Sequence, residues 1–166
     1  MDDSEPLERT SFHAGQLLTS EDLTREQDYF RGKQQRHNRT LHGLGVVSGL
    51  KVTIAGGKVI VDPGLALDCE GSEIVIGTQQ QLPPLSSTAG SRAAYVNIRY
   101  ADEVSEKIVR ESFEICFGEE NFNRGHRHLR ARWLACGKPH PLTIGKLRCT
   151  AQGWRVDRRF RAPVIK

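Results

Sequence analysis

Between residues 50 and 76 apolar and polar side chains alternate in short runs, and each run is closed by residues that turn the chain. Leu50, Val52 and Ile54 share one face while Lys51 and Thr53 take the other, and Ala55-Gly56-Gly57-Lys58 leads on into Val59-Ile60-Val61. A side-chain period of two belongs to a strand with one buried face. Asp62-Pro63-Gly64 is a turn because proline fixes φ and glycine accepts the conformation that follows. Leu65, Leu67 and Cys69 alternate along a third strand, and Glu70-Gly71 turns into a fourth at residues 73–76. Four short strands at this spacing bury their apolar faces only against another sheet, which predicts an antiparallel sandwich or barrel.

The rest of the chain fits that scheme. Pro83-Pro84 cannot join a ladder, so residues 82–91 read as a surface crossing. Residues 93–100 form a strand with Ala94, Val96, Ile98 and Tyr100 on one face, followed by an acidic loop around Asp102 and Glu103. Residues 108–117 form another, with Phe113, Ile115 and Phe117 on one side. A long basic loop follows at 118–132, expected to be mobile or held by a partner. Residues 142–147 and 152–156 read as a last hairpin, and 157–166 as an Arg-rich tail.

Ahead of the sheet stands one long polar helix. Thr19 or Ser20 can cap it, Thr19 with Asp22 forms a variant of the capping box, and Glu21 and Asp22 suit the positive end of the dipole. Arg36, His37 and Arg39 supply a cationic last turn before His42-Gly43, so the helix should run to about Leu41 with Gly32 as its weak point. Its apolar stripe is thin: Leu23, Phe30 and Leu41, with Tyr29 beside it and Gln27 among the polar remainder. Such a helix lies on its own sheet by a narrow seam or meets another protein. The whole reads as one mainly β domain with an acidic arm at 1–11, a lead-in and helix at 12–42, and an antiparallel β-sandwich at 43–166.

With 166 residues, 37% hydrophobic and 27% charged, the chain is large enough for a real core and too apolar to be disordered. No run is long enough to span a bilayer and residues 1–10 are acidic, which points to a cytosol. The four cysteines, widely spaced, are then expected as thiols. The net charge of +4 hides a polarity: residues 1–30 carry eight acids against Arg9 and Arg25, whereas residues 121–166 carry twelve Lys and Arg against Asp157. Such an asymmetry suits docking between copies or neighbours, or a polyanion.

Motifs for chemistry are sparse. Cys116, His126, His128, Cys136, His140 and Cys149 are residue types that zinc accepts, but the short paired spacings of a zinc knuckle are missing, and no cofactor is expected. Neither a nucleophile elbow, a zincin helix nor a P-loop is present, and the glycines of Gly43-Leu44-Gly45-Val46-Val47-Ser48-Gly49 have the wrong spacing and context for a dinucleotide loop. His13, His37 and His42 read as turn, cap or interface residues, and Glu111 and Glu114 fall on opposite faces of their strand. Arg124, Arg127, Arg130, Arg132, Arg158, Arg159 and Arg161 could grip phosphates or an acidic protein, with Trp133, Trp154 and Phe160 available to stack. No nucleic-acid fold signature accompanies them, which favours the protein partner.

Several segments taken in order resemble a known family: Phe12-His13-Ala14-Gly15-Gln16-Leu17-Leu18, Glu21-Asp22-Leu23, Glu26-Gln27-Asp28-Tyr29, Leu41-His42-Gly43-Leu44-Gly45-Val46-Val47-Ser48-Gly49-Leu50, Asp62-Pro63-Gly64, Gly71 and Leu82-Pro83-Pro84-Leu85. The order is similar to the baseplate-associated proteins of phage tails and tail-like contractile injection systems, and in outline to the N-terminal shoulder domain of TssK, the type VI secretion baseplate subunit. It covers about residues 12–115 and lacks TssK's helical neck and receptor-binding head. The resemblance implies a shoulder-like β-sandwich and a structural adaptor in a tail-like particle in the bacterial cytoplasm. It implies a homo-oligomer, a trimer in the family, docked to other baseplate, spike or fibre proteins, with no enzymatic role. The interface would be Phe12, Leu17, Leu18, Leu23, Gln27, Tyr29, Phe30 and Leu41, with Gly43, Gly45, Gly49, Pro63, Gly64 and Gly71 as structural turns. The alternative is a β-sandwich module that binds carbohydrate or another polyanion.

Overall fold

The computed structural model describes residues 6–85, 92–106, 108–123 and 140–165. Helix α1 covers Ser20–His37 and a π-helical turn, Asn38–His42, extends it to the glycine stop. The end is therefore where the sequence put it, with the last turn widened. Gly43, at φ +81°, donates its N–H to the Asn38 carbonyl and releases the chain into the sheet.

Among the described residues ten strands follow: β1 Gly45–Gly49, β2 Val52–Ala55, β3 Lys58–Val61, β4 Gly64–Leu67, β5 Glu73–Ile76, β6 Gln80–Leu82, β7 Ala93–Ser105, β8 Ile108–Gly118, β9 Leu142–Thr150 and β10 Gly153–Val156. They make three antiparallel sheets, β1-β4-β5, β2-β3-β6 and β10-β9-β7-β8. Successive strands thus change sheets twice near the start, first between β1 and β2 and again between β3 and β4. At each change the backbone comes into close contact. Gly49, at φ +63°, lies opposite Gly64, and a Cβ on either would overlap the other segment's backbone.

One core serves all three sheets. Val46 and Ala66, Val52, Val59 and Val61, Ile74 and Ile76, and Val96, Ile98, Leu142 and Leu147 are all buried in it. Several of these side chains are completely enclosed, and at about 1.5–3 kcal/mol per buried aliphatic residue they are the main source of stability. The mainly β, antiparallel fold with one N-terminal helix is the one the alternation implied.

Four local expectations need correction. Leu50 is buried but adopts φ +54°, outside any strand, because the chain there crosses from one sheet to another. Cys69 lies past the end of β4 in the turn to β5. Leu82 ends β6, which pairs with β3, so the surface crossing starts only at the prolines. Asp102 and Glu103 are in no loop: β7 continues through them to Ser105 in unbroken register with β8. The Arg-rich tail also turns back onto the sheet. Val46 donates to Pro163 O at 2.8 Å and Ile165 donates to Val46 O at 3.0 Å, which covers the free edge of β1.

Candidate functional site

The N-terminal cap of α1 has the reciprocal form. Asp22 N–H donates to Thr19 Oγ1 at 3.2 Å, and the Asp22 carboxylate accepts the Thr19 N–H at 3.2 Å. The Thr19 N–H, and then the Thr19 hydroxyl, which donates to Asp22 Oδ2 at 3.0 Å, hold the Asp22 carboxyl below its ordinary pKa. Glu21 is lowered too, by its own backbone N–H and then by the hydroxyls of Thr19 and Ser20.

The exposure of the apolar side chains of α1 bears on the two readings of the sequence. None of its residues is buried. Phe12, Leu17, Leu18, Leu23, Phe30 and Leu41 are all at least half exposed, Phe30 at 60% and Leu17 at 85%. Gln27 is exposed, and Tyr29 is half-buried with its ring edge-on to Phe30 at 5.3 Å and Lys33 above it. The helix is held to the body by polar bonds instead. Asn38 Nδ2 donates to Gly71 O at 3.0 Å, Gln35 Nε2 to Ser72 Oγ at 3.1 Å and Gln34 Nε2 to Glu73 Oε1 at 3.1 Å, all on the β4–β5 turn and the start of β5. That turn is itself shaped by Asp68, whose Oδ1 accepts the N–H groups of Glu70 at 2.9 Å and Ser72 at 2.8 Å. Burial pushes the Asp68 carboxyl above its ordinary pKa in spite of those bonds. Leu7 packs over Gly32, so the small residue within the helix gives the preceding arm its seat.

Gly45 and Gly71, like Gly49 and Gly64, meet backbone. Gly45, at φ +150°, faces the Pro163 carbonyl, and Gly71, at φ +85°, faces the Gln35 carbonyl. Pro63, at the sheet change, supplies a carbonyl that accepts the Leu50 N–H at 3.2 Å.

Arg159 and Arg161 of the tail border a cleft of about 480 Å³ lined also by Tyr95, Lys146, Arg148, Asp157 and Phe160, among others, whereas Arg158 lines a separate one with Val52 and Ile144. Asp157 is buried at the base of the first. Its carboxylate lies 2.9 Å from Arg148 Nε and 3.8 Å from Lys146 Nζ and accepts the Arg159 N–H at 3.1 Å. Burial works against the charge, but the Arg159 N–H, Arg148 and Lys146 together outweigh it and hold the carboxyl below its ordinary pKa. Arg161 donates to the carbonyls of Arg158 and Phe160, and Phe160 meets Tyr95 edge-on at 6.4 Å. Arg124, Arg127, Arg130, Arg132 and Trp133 lie outside the described residues. Trp154 is partly buried against the core, with its Nε1 enclosed.

Of the zinc-type residues, His126, His128 and Cys136 lie outside the described set. Cys116 and Cys149 are exposed thiols on β8 and β9 with β7 between them. Strand alternation points them to opposite faces, since Cys116 alternates with the core residues Ile115 and Phe117 while Cys149 is in phase with the core residue Leu147. His140 precedes β9 beside a cavity it shares with Asp68, Arg99 and Tyr100. Among the described residues no group of three or more His, Cys, Asp or Glu is arranged to hold a metal. His37 and His42 stack edge-on at 5.3 Å, and the His13 N–H donates to Gln16 Oε1 in the lead-in turn.

One feature escaped the sequence reading. Among the described residues, β7 has only β8 as a partner beyond Ile98, and residues 102–106 and 108–111 are exposed. This two-stranded arm carries Val104, Ile108 and Val109, each more than half exposed, near its tip. The signal was present in the alternation Tyr100, Asp102, Val104, which prolongs the strand through the acids.

No family model matches the chain, and no curated protein does. Solved structures match its fold. A chain of the type VI secretion system TssK–TssF–TssG baseplate subcomplex aligns with a TM-score of 0.61 and 11% identity over 96% of this chain and 62% of its own. A chain of the type VI secretion baseplate complex gives 0.63 and 11%, and the crystal structure of TssK gives 0.60 and 10%, each over 96% of this chain and 42% of theirs. The chain thus shares the fold of these structures while spanning less than two thirds of their length.

Proposed function

We propose that the chain is a structural, non-catalytic component of the baseplate of a tail-like contractile particle, and that it docks to its neighbours through the lead-in and α1. The TssK-like fold across 96% of the chain supports the class of role. The observation that carries the docking surface is α1, a helix with no buried residue that presents Leu23 and Phe30 to solvent, with Leu41 exposed on the π-helical turn that follows it. An apolar set of this kind, rimmed by charge, marks a protein contact. Among the described residues no helix is long and apolar enough to cross a membrane. Of the features that favoured a carbohydrate module, Trp154 is partly buried against the core and Trp133 lies outside the described residues, and the TssK-like fold supports the adaptor reading over that module.

The test is the double variant Leu23→Asp, Phe30→Asp. Neither side chain contributes to the core, so the melting temperature should stay within a few degrees of wild type, while co-purification with neighbouring baseplate proteins or self-association falls at least tenfold. A variant that unfolds, or one that assembles as wild type, rules out the helix as the docking surface.

A further inference from the structure

The projecting β7–β8 arm and the basic cleft have complementary chemistry and sit at opposite ends of one strand. The arm is acidic: residues 101–112 carry Asp102, Glu103, Glu106 and Glu111 against Lys107 and Arg110. Its register sets Asp102 directly opposite Glu111, and like charges facing each other across a ladder destabilise it. Two strands exposed on both faces are marginal by themselves, and β8 is also the edge of its sheet. The arm therefore combines three features that a cationic partner with an apolar floor would relieve: paired carboxylates, an open edge and the exposed side chains of Val104, Ile108 and Val109.

The cleft offers that chemistry. Among the described residues that line it, Lys146, Arg148, Arg159 and Arg161 face only Asp157 as an acid, and Phe160 and Pro163 supply apolar surface. It cannot receive its own arm. Tyr95, in the cleft, and Val104, near the arm tip, belong to the same strand and are about 30 Å apart at roughly 3.3 Å per residue.

We propose that the acidic arm of one copy docks into the basic cleft of a second copy, head to tail. The contact is heterologous, so it closes a ring or extends a row according to the rotation between copies. It builds on the structural role proposed above but uses a surface separate from α1.

Charge exchange tests it. Glu106→Lys with Glu111→Lys makes a basic arm, and the second change places a lysine opposite Asp102, which favours the hairpin. Arg159→Glu with Arg161→Glu makes an acidic cleft. By sedimentation at low salt, wild type should self-associate and weaken as salt rises. Each double variant alone, shown to be folded by circular dichroism, should associate at least about tenfold more weakly, because each now sets like charges together. An equimolar mixture of the two should recover association, since every arm then finds a cleft of opposite sign. A wild type that stays monomeric, single variants that associate normally, or a mixture that does not recover each overturns the proposal. Loss of association in Phe30→Asp with normal behaviour of both charge variants would assign self-association to the helix alone.

Discussion

Asn38 Nδ2 donates to the carbonyl oxygen of Gly71 at 3.0 Å, and both residues are buried. This bond ties the end of α1 to the β4–β5 turn in a helix that buries no apolar side chain of its own. Asn38→Ala leaves the Gly71 carbonyl enclosed without that donor, at a cost of about 1–3 kcal/mol. The loss should be local. Urea unfolding should show the reduced stability, and hydrogen exchange should quicken in α1 and the β4–β5 turn well before the β7–β9 ladder. Uniformly faster exchange would mean that the helix and the sheets unfold as one unit.

Gly71→Ala should do more damage. The residue sits at φ +85°, and a Cβ there would overlap the Gln35 carbonyl and approach the Arg39 nitrogen, both of them helix backbone. Backbone strain of about 1–3 kcal/mol adds to the overlap, so the helix must shift away or the turn must open. Gly77→Ala is the control, since it has open space around it and no left-handed φ. It should change stability by no more than about 0.5 kcal/mol. If thermal unfolding gives the two variants equal midpoints, the close contact between turn and helix is not as described.

The arrangement at Asp68 has a pH signature. Burial raises its folded-state pKa above the ordinary 3.8. Between those two values the folded chain holds a proton that the unfolded chain lacks, so stability rises as the pH falls through that window. Asn can accept the Glu70 and Ser72 N–H groups as Asp68 Oδ1 does, without a buried charge. Asp68→Asn should therefore match or exceed wild type at pH 7, with the difference shrinking as the pH approaches 4. Asp157, lowered by its partners, has the opposite dependence, but it is common to both proteins and cancels in their difference. A variant less stable than wild type at pH 7, by an amount that does not change with pH, would refute the buried-charge account.

The turn at Pro63-Gly64 and the hairpin at Gly56-Gly57 were legible because local chemistry dictates them, and so was the cap at Thr19. The sheet change at Leu50 was not. Its apolar side chain stays in phase with Val52, and only the close approach of Gly49 to Gly64, remote in sequence, forces φ positive. The arm failed for a related reason: acids suggest a loop, and the ladder that holds Asp102 and Glu103 is supplied by β8. For α1 the thin apolar stripe was legible and its surroundings were not. That Phe30 faces solvent follows from polar bonds to residues 71–73, which no periodicity within the helix encodes.

Sheet packing provides the last test. Gly145 lies in β9 opposite Val96, and a Cβ there would fall 2.8 Å from Val52 Cγ2 and 3.1 Å from Val52 Cβ. Val52 belongs to β2, so this contact sets the distance between the β10-β9-β7-β8 and β2-β3-β6 sheets. A β-branched side chain cannot swing clear, because rotation about χ1 replaces one methyl with another and leaves Cβ in place. Gly145→Ala should therefore cost about 1–3 kcal/mol through overpacking. Val52→Ala, which removes the two methyls, should also destabilise by opening a cavity. In the double variant the new methyl occupies part of the space the valine gave up, so the combined loss should fall short of the sum by about 0.5–3 kcal/mol. Denaturant unfolding of the four proteins measures the coupling. Strict additivity would mean that the sheets adjust their spacing freely and that Gly145 does not set it.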